Sequence, residues 1–176
     1  MRGFLFAIVA VLLVIALGLL FAFLGFFGMR ADNPPSKFET YFAGHAMDAS
    51  IARAAPKVEN PIPADEKNLV AGARLYRDNC ALCHGDSAHP KALLADSLNP
   101  PAPQFMHDMA DMPEHQNFYI IQHGIRWTAM PGWKSILNEQ QTWQLVTFLS
   151  QMHNLPPAAK QVFGEPSLRT PPPLSF

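Results

Sequence analysis

Cysteine is scarce in this chain, with two residues in 176. That excludes a disulfide-stapled scaffold, and it leaves no third or fourth thiol for a structural zinc site, which usually takes four ligands. Charge is scarce as well. Lys, Arg, Asp and Glu make up 15% of the chain and sum to −1. Setting aside residues 1–30 removes Arg2 and Arg30 and no acid, so 11 basic side chains remain against 14 acidic ones, a net of −3. Such weak acidity carries no electrostatic footprint for nucleic acid. The shortage is complete from Gly3 to Met29, where no charged or strongly polar side chain occurs.

Phe, Leu, Val, Ile and Ala dominate that segment. As a helix, its 27 residues reach about 40 Å, enough to cross a bilayer with some tilt. A cleaved signal peptide has a shorter apolar core and a small-residue cleavage site, and the segment Phe26-Phe27-Gly28-Met29-Arg30 has no such character. No cysteine lies near its end to take a lipid. The expectation is a retained single-pass anchor that meets lipid through residues 3–29.

What the chain does have is one compact motif, Cys80-Ala81-Leu82-Cys83-His84. Two thiols three positions apart followed at once by histidine form the attachment signature of a c-type haem. Each sulfur can bond one vinyl group of the porphyrin, and the adjacent imidazole can take the proximal axial position on iron. A redox disulfide would give His84 no role. One motif and no spare cysteine imply one haem and no disulfide. Covalent attachment of this kind is carried out on the outer face of bacterial membranes. Residues from Lys37 onward are therefore expected on the periplasmic side of the inner membrane.

The sixth iron ligand is expected from the segment Gly124–Trp133. Met130 lies there in a loop, 46 residues beyond His84, and Pro131 restricts it to extended backbone angles. Thioether ligation favours ferrous iron and raises the reduction potential. The rivals are histidines, His123 first and then His89, His107, His115 and His153. Met106, Met109 and Met112 form a further cluster that either covers a haem edge or fills space.

Composition divides the chain into an anchor (1–30), an amphipathic helix with a Pro-containing linker (31–63), a helical domain (64–155) and a Pro-rich tail (156–176). Phe38, Tyr41, Phe42, Ala46, Ala49 and Ile51 recur at largely helical spacing over residues 37–54. Within the domain, a first helix is expected over 65–79 from an Asp65 cap, a middle one near 114–123 and a last one over 138–152. Asn138 and Gln141 have capping-box spacing. Phe118, Ile120 and Ile121 are assigned to the haem side of the middle helix, and Leu145, Phe148, Leu149 and Met152 to the inner face of the last. Gly72 inside the first helix costs about 1 kcal/mol relative to alanine, which close approach by another helix would explain. The tail, with Pro171-Pro172-Pro173, is expected either to lie extended along a surface or to stay mobile.

Together, the Gly72/Tyr76 helix, the Cys80–His84 motif, the Met130-Pro131 loop and the Leu145/Phe148 helix resemble class I cytochrome c over about residues 64–155. The N-terminal part is similar to bacterial membrane-anchored monohaem cytochromes, down to the segment Ala52-Arg53-Ala54. The resemblance implies an all-α class I cytochrome c fold after a single transmembrane helix, with the first and last helices crossing at Gly72, Tyr76 and Phe148. It implies a proline-loop carbonyl holding the proximal imidazole, with Pro101 preferred over Pro103. It also implies propionate partners among Arg126, Trp127 and Trp133.

With both axial positions filled by His84 and Met130, the expected role is single-electron transfer between redox protein partners, respiratory or dehydrogenase, inside or beside a larger membrane complex. No catalytic residue is expected. The alternative is a haem-based sensor in which Met130 detaches to admit a small ligand.

Overall fold

The computed structural model describes residues 2–26 and 28–165. The described fold is all-α and divides into two compact units, Met1–Asn33 and Pro34–Phe176. In the first unit, helix α1 covers Arg2–Phe23 with no buried residue. It is long and apolar enough to cross a membrane. The helix stops short of the end of the apolar run because Gly25 adopts φ +78° and its N–H closes on the Ala22 carbonyl at 3.0 Å, a left-handed stop that glycine alone takes without strain. Its 22 residues span about 33 Å, close to the hydrocarbon thickness of a bilayer.

The second unit begins with α2, Lys37–Ala54, whose first turn is closed by a capping box between Ser36 and Glu39. It continues through α3 (Glu66–Asn79), α4 (Ala81–His84), α5 (Glu114–His123), α6 (Glu139–Gln151) and α7 (Pro157–Gly164), with short 3-10 turns at Ala95–Ser97 and Met152–Asn154. The caps read from sequence are present. The Asp65 carboxylate accepts the Asn68 N–H at 2.8 Å. Asn138 and Gln141 exchange side-chain and backbone bonds at 2.9 and 3.0 Å.

Helix α6 is the centre of the unit. Residues 142–148 are buried all the way round because α3 and α5 both pack on it. At the α3–α6 crossing, a Cβ on Gly72 would lie 2.6 Å from the Phe148 Cβ and closer still to the Gln144 carbonyl oxygen. Only hydrogen at that position lets the two backbones meet. We expect Gly72→Ala to destabilise the unit by about 2–3 kcal/mol despite the better helix propensity of alanine, seen as a fall in melting temperature on the order of 10 °C.

One element differs from the sequence reading. Residues 157–164 form a helix rather than an extended tail, and Ala159, Val162 and Phe163 are buried against α3. Pro157 opens this helix at its first turn, where a missing N–H costs nothing. Arg77 fastens its end by an ion pair to Glu165 at 2.6 Å. Residues 166–176, including the proline triplet, lie outside the described residues. On α5, Phe118 stacks on Trp143 with ring centroids 4.1 Å apart, so it faces α6, while Ile121 is buried in the core cluster.

Candidate functional site

The two cysteines and His84 sit on one continuous helical corner. Cys80 closes α3 by donating its N–H to the Tyr76 carbonyl at 2.7 Å, and its own carbonyl accepts the N–H groups of Cys83 and His84, both at 3.0 Å. On a single helical turn, positions i, i+3 and i+4 share a face. The spacing therefore brings two sulfurs and one imidazole to the same side of the chain.

The adjoining residues 85–89 fix that turn in place. Gly85 has φ +79°, and a Cβ there would meet the His89 and Pro90 carbonyl oxygens at 2.9 Å. The buried Tyr76 hydroxyl donates to the Gly85 carbonyl at 2.9 Å. The Asp86 carboxylate accepts the N–H groups of Ala88 and His89 at 2.9 and 2.6 Å.

The imidazole is oriented from below. His84 Nδ1 lies 2.9 Å from the Pro103 carbonyl oxygen. A carbonyl only accepts, so Nδ1 carries the proton and Nε2 keeps its lone pair in the neutral ring. Phe105 stacks on the imidazole at a centroid distance of 4.7 Å and an interplanar angle of 12°. Burial lowers the His84 pKa, opposed by the Pro103 bond. The orienting carbonyl is therefore Pro103 rather than the expected Pro101. The choice depends on the register of the loop Asn99–Pro103, and Gln104 sets it. Gln104 Nε2 donates to the carbonyls of Cys83 and Ala102 at 3.0 and 2.8 Å, while its Oε1 accepts the Ala92 N–H at 2.7 Å.

Gln104 was not singled out in the sequence, since an isolated glutamine in a proline-rich loop has no motif. Gln104→Ala is expected to cost about 2–3 kcal/mol through three lost bonds at a half-buried position. Denaturant unfolding checks this.

The thiols are unbonded. Burial, and secondarily the neighbouring Cys83, pushes the Cys80 thiol up to about 12. Burial also raises Cys83. Redox-active Cys-x-x-Cys pairs and thiolate metal sites need the opposite shift, so the pair is held as neutral thiols at pH 7. Among the described residues, no three His, Cys, Asp or Glu side chains converge as a metal cage.

The Met130 loop is tied at both ends. The Met130 N–H donates to Thr128 Oγ1 at 3.1 Å, its carbonyl accepts the Ile125 N–H at 3.1 Å, and the Trp133 N–H reaches the Ile121 carbonyl at 2.9 Å. Gly124 (φ +69°) is required, because a Cβ would fall 2.6 Å from the Met130 carbonyl oxygen and the Gly132 nitrogen.

Met130, Cys80, Phe105 and Trp133 all pack against the same core cluster. Arg126 is exposed, and Trp127 is 90% exposed with φ +65°, the one positive-φ non-glycine among the described residues. Of the rival histidines, His123 is exposed and packs on Tyr119 with centroids 4.5 Å apart. His89 pairs with Asp86 at 3.3 Å. His107 and His153 are exposed, and His115 is half-buried. Met106 packs on the core cluster, whereas Met109 is exposed.

Comparison with known proteins corrects the resemblance to class I cytochrome c and to membrane-anchored monohaem cytochromes. The Cys80–His84 motif does not by itself mark a family, so the likeness drawn from it and the flanking helices went too far. No curated protein matches the chain. One family model does match, over residues 67–149, just under half of the chain, and its description is cytochrome c oxidase, cbb3-type, subunit III. That is a subunit of an oxidase complex, consistent with a non-catalytic component rather than an enzyme in its own right. The segment from α3 through most of α6, which holds Cys80, Cys83, His84, Pro103, Gln104, Phe105 and Met130, is thus similar to an oxidase subunit.

Proposed function

We propose that residues 66–164 would hold one haem c, with Cys80 and Cys83 as its attachment points and His84 and Met130 as the side chains that would ligate its iron. The chain then passes single electrons as a membrane-anchored subunit of, or close partner to, a respiratory oxidase assembly. The similarity over residues 67–149 to an oxidase subunit supports that setting.

The observation that carries the reading is the His84 geometry. The ring's Nδ1 is occupied by the Pro103 carbonyl at 2.9 Å, so Nε2 is the nitrogen left to ligate, beside two unbonded neutral thiols on the same helical corner. A carbonyl-oriented imidazole is the usual support for a metal-bound histidine. This arrangement of Cys80, Cys83 and His84 supports the reading.

When bound, the haem would supply a reversible one-electron iron couple whose potential the axial pair tunes. The remaining work falls to the chain. Pro103 and Phe105 fix the His84 ring plane, and Gln104 ties the attachment turn to the proline loop. Thr128 and Ile125 hold the Met130 backbone. Exposed Arg126 and Trp127, with half-buried Trp133, are the local candidates for propionate contacts. Helix α1 serves as the inner-membrane anchor with the haem unit on the periplasmic side, which keeps the carrier at high effective concentration near its redox donor and acceptor.

The test is a haem-stained denaturing gel of protein purified by mild detergent from cells that mature c-type haems. One covalent haem per chain is expected, together with co-purifying oxidase subunits. Two freely alkylatable thiols and no haem would discard the reading. A haem-loaded but wholly monomeric product would discard the fixed-subunit version and leave a mobile carrier.

A further inference from the structure

Helix α2 has two faces with different fates. Gly44, Met47, Ile51 and Ala55 follow one another at i, i+3, i+7 and i+11. Gly44 and Met47 are half-buried and Ile51 and Ala55 buried, and α2 packs on α5, while a Cβ at Gly44 would still meet open space. The other side carries Phe38, Tyr41, Phe42, His45 and Ala49, which at 100° per residue share an arc of roughly 100°. Its rings are 72%, 60% and 55% exposed at Phe38, Tyr41 and Phe42. They still contact one another, Phe38 to Phe42 at 4.4 Å and Tyr41 to Phe42 at 5.5 Å between centroids, with Tyr41 stacked on His45 at 4.8 Å. Glu39 and Asp48 flank this arc, and no acid lies within it.

We propose that this aromatic face of α2 lies in the lipid headgroup region of the same bilayer that α1 crosses. The inference rests on α1 being a membrane anchor. The short chain between the anchor and α2 argues for lipid as the occupant. The apolar run ends at Met29, and the Arg30–Asp32 ion pair, 2.6 Å long, marks the first charged positions beyond it. From Arg30 to Ser36 the chain advances six residues, about 20 Å at full extension, so the first turn of α2 stays near the headgroups.

Tyr41, an aromatic ring with one polar end, suits that zone, where Tyr and Trp are enriched, Phe38 and Phe42 add apolar area beside it, and Lys37 and Arg53 bracket the face. Because Ile51 and Ala55 join α2 to the helical unit, a docked α2 turns one chosen side of that unit to the membrane. The unit is then oriented rather than free to tumble on its tether.

The experiment uses the full haem-loaded chain in lipid nanodiscs, with a nitroxide placed through Phe42→Cys and, separately, through Ala49→Cys. A Leu13→Cys label in α1 serves as the anchor reference, and the parent chain is taken through the same labelling as background. The readout is relaxation of each nitroxide by oxygen, which concentrates in lipid, and by a water-soluble nickel chelate. The expected result at positions 42 and 49 is nickel relaxation below, and oxygen relaxation above, that of a label in water, each intermediate between water and position 13. Nickel relaxation at 42 and 49 as strong as for a label in water, with oxygen-dominated relaxation at 13, overturns the proposal and leaves the anchor standing. Nickel-dominated relaxation at all three overturns the anchor itself, and the proposal with it. Protection of 42 and 49 from both reagents means that protein covers the face, which also overturns the proposal.

Discussion

Replacing both thiols, Cys80→Ser with Cys83→Ser, is expected to abolish haem staining of the denatured chain completely. Either single substitution is expected to leave it stained through the remaining thioether. The double change removes only two sulfur atoms from a turn whose backbone is held independently by the Tyr76, Cys80 and Ala81 carbonyls, so the apoprotein's local fold is little disturbed. Stability should nevertheless fall steeply, because a group bound only to the native state contributes its binding free energy to folding. In a unit of this size, a loss of several kcal/mol lowers the melting temperature on the order of 20 °C. A haem-stained gel and a thermal melt of the same sample check both effects. Retained staining in the double variant would mean that attachment does not run through these residues.

The second large effect is expected at Met130. Met130→Ala should convert a six-coordinate low-spin spectrum to a high-spin one, admit carbon monoxide stoichiometrically, and lower the reduction potential, because the thioether that favours ferrous iron is gone. The loop itself should survive. Its closing bonds run through the Met130 backbone N–H and carbonyl, which alanine keeps. The loss of a half-buried side chain costs about 1–2 kcal/mol, less than truncation of a fully buried methionine. Met130→His separates ligation from packing, since it restores a low-spin six-coordinate site with a lower potential only if position 130 faces the iron. An unchanged spectrum in Met130→Ala would return the assignment to the histidines.

Much of the helical framework was legible because short-range chemistry sets it. Asp65 and Asn138 announce helix starts through side chains that satisfy backbone N–H groups two or three residues on, and both do so here. Gly72 announced a crossing because only contact with another backbone repays a glycine in mid-helix.

The failures are equally specific. Helix α7 was hidden because Pro156-Pro157 reads as a terminator, although proline is equally at home at a first turn. Trp143 was missed because α6 is buried all round, so no single apolar stripe marks its inner face. Helix α2 was placed from its spacing, but not the split between its packed and exposed sides, since α5 covers the end bearing Ile51 and leaves the aromatic end bare. At the site, the Cys80–His84 turn was plain from sequence, whereas Pro103 and Gln104 were not. Two prolines at positions 101 and 103 offer the same carbonyl chemistry, and three-dimensional register alone separates them. The family assignment failed for a related reason: a five-residue motif, one loop and two crossing helices are local features that do not separate one family from another.

Haem ligation by His84 and Met130 is tested most directly by the absorption spectrum of the detergent-purified protein, oxidised and reduced, extended into the near infrared. One covalent low-spin haem is expected, showing the weak sulfur-to-iron charge-transfer band when oxidised. A haem-free chain would contradict attachment at Cys80 and Cys83. A high-spin spectrum that shifts readily with carbon monoxide would contradict Met130 ligation, and with it the assignment to simple electron transfer.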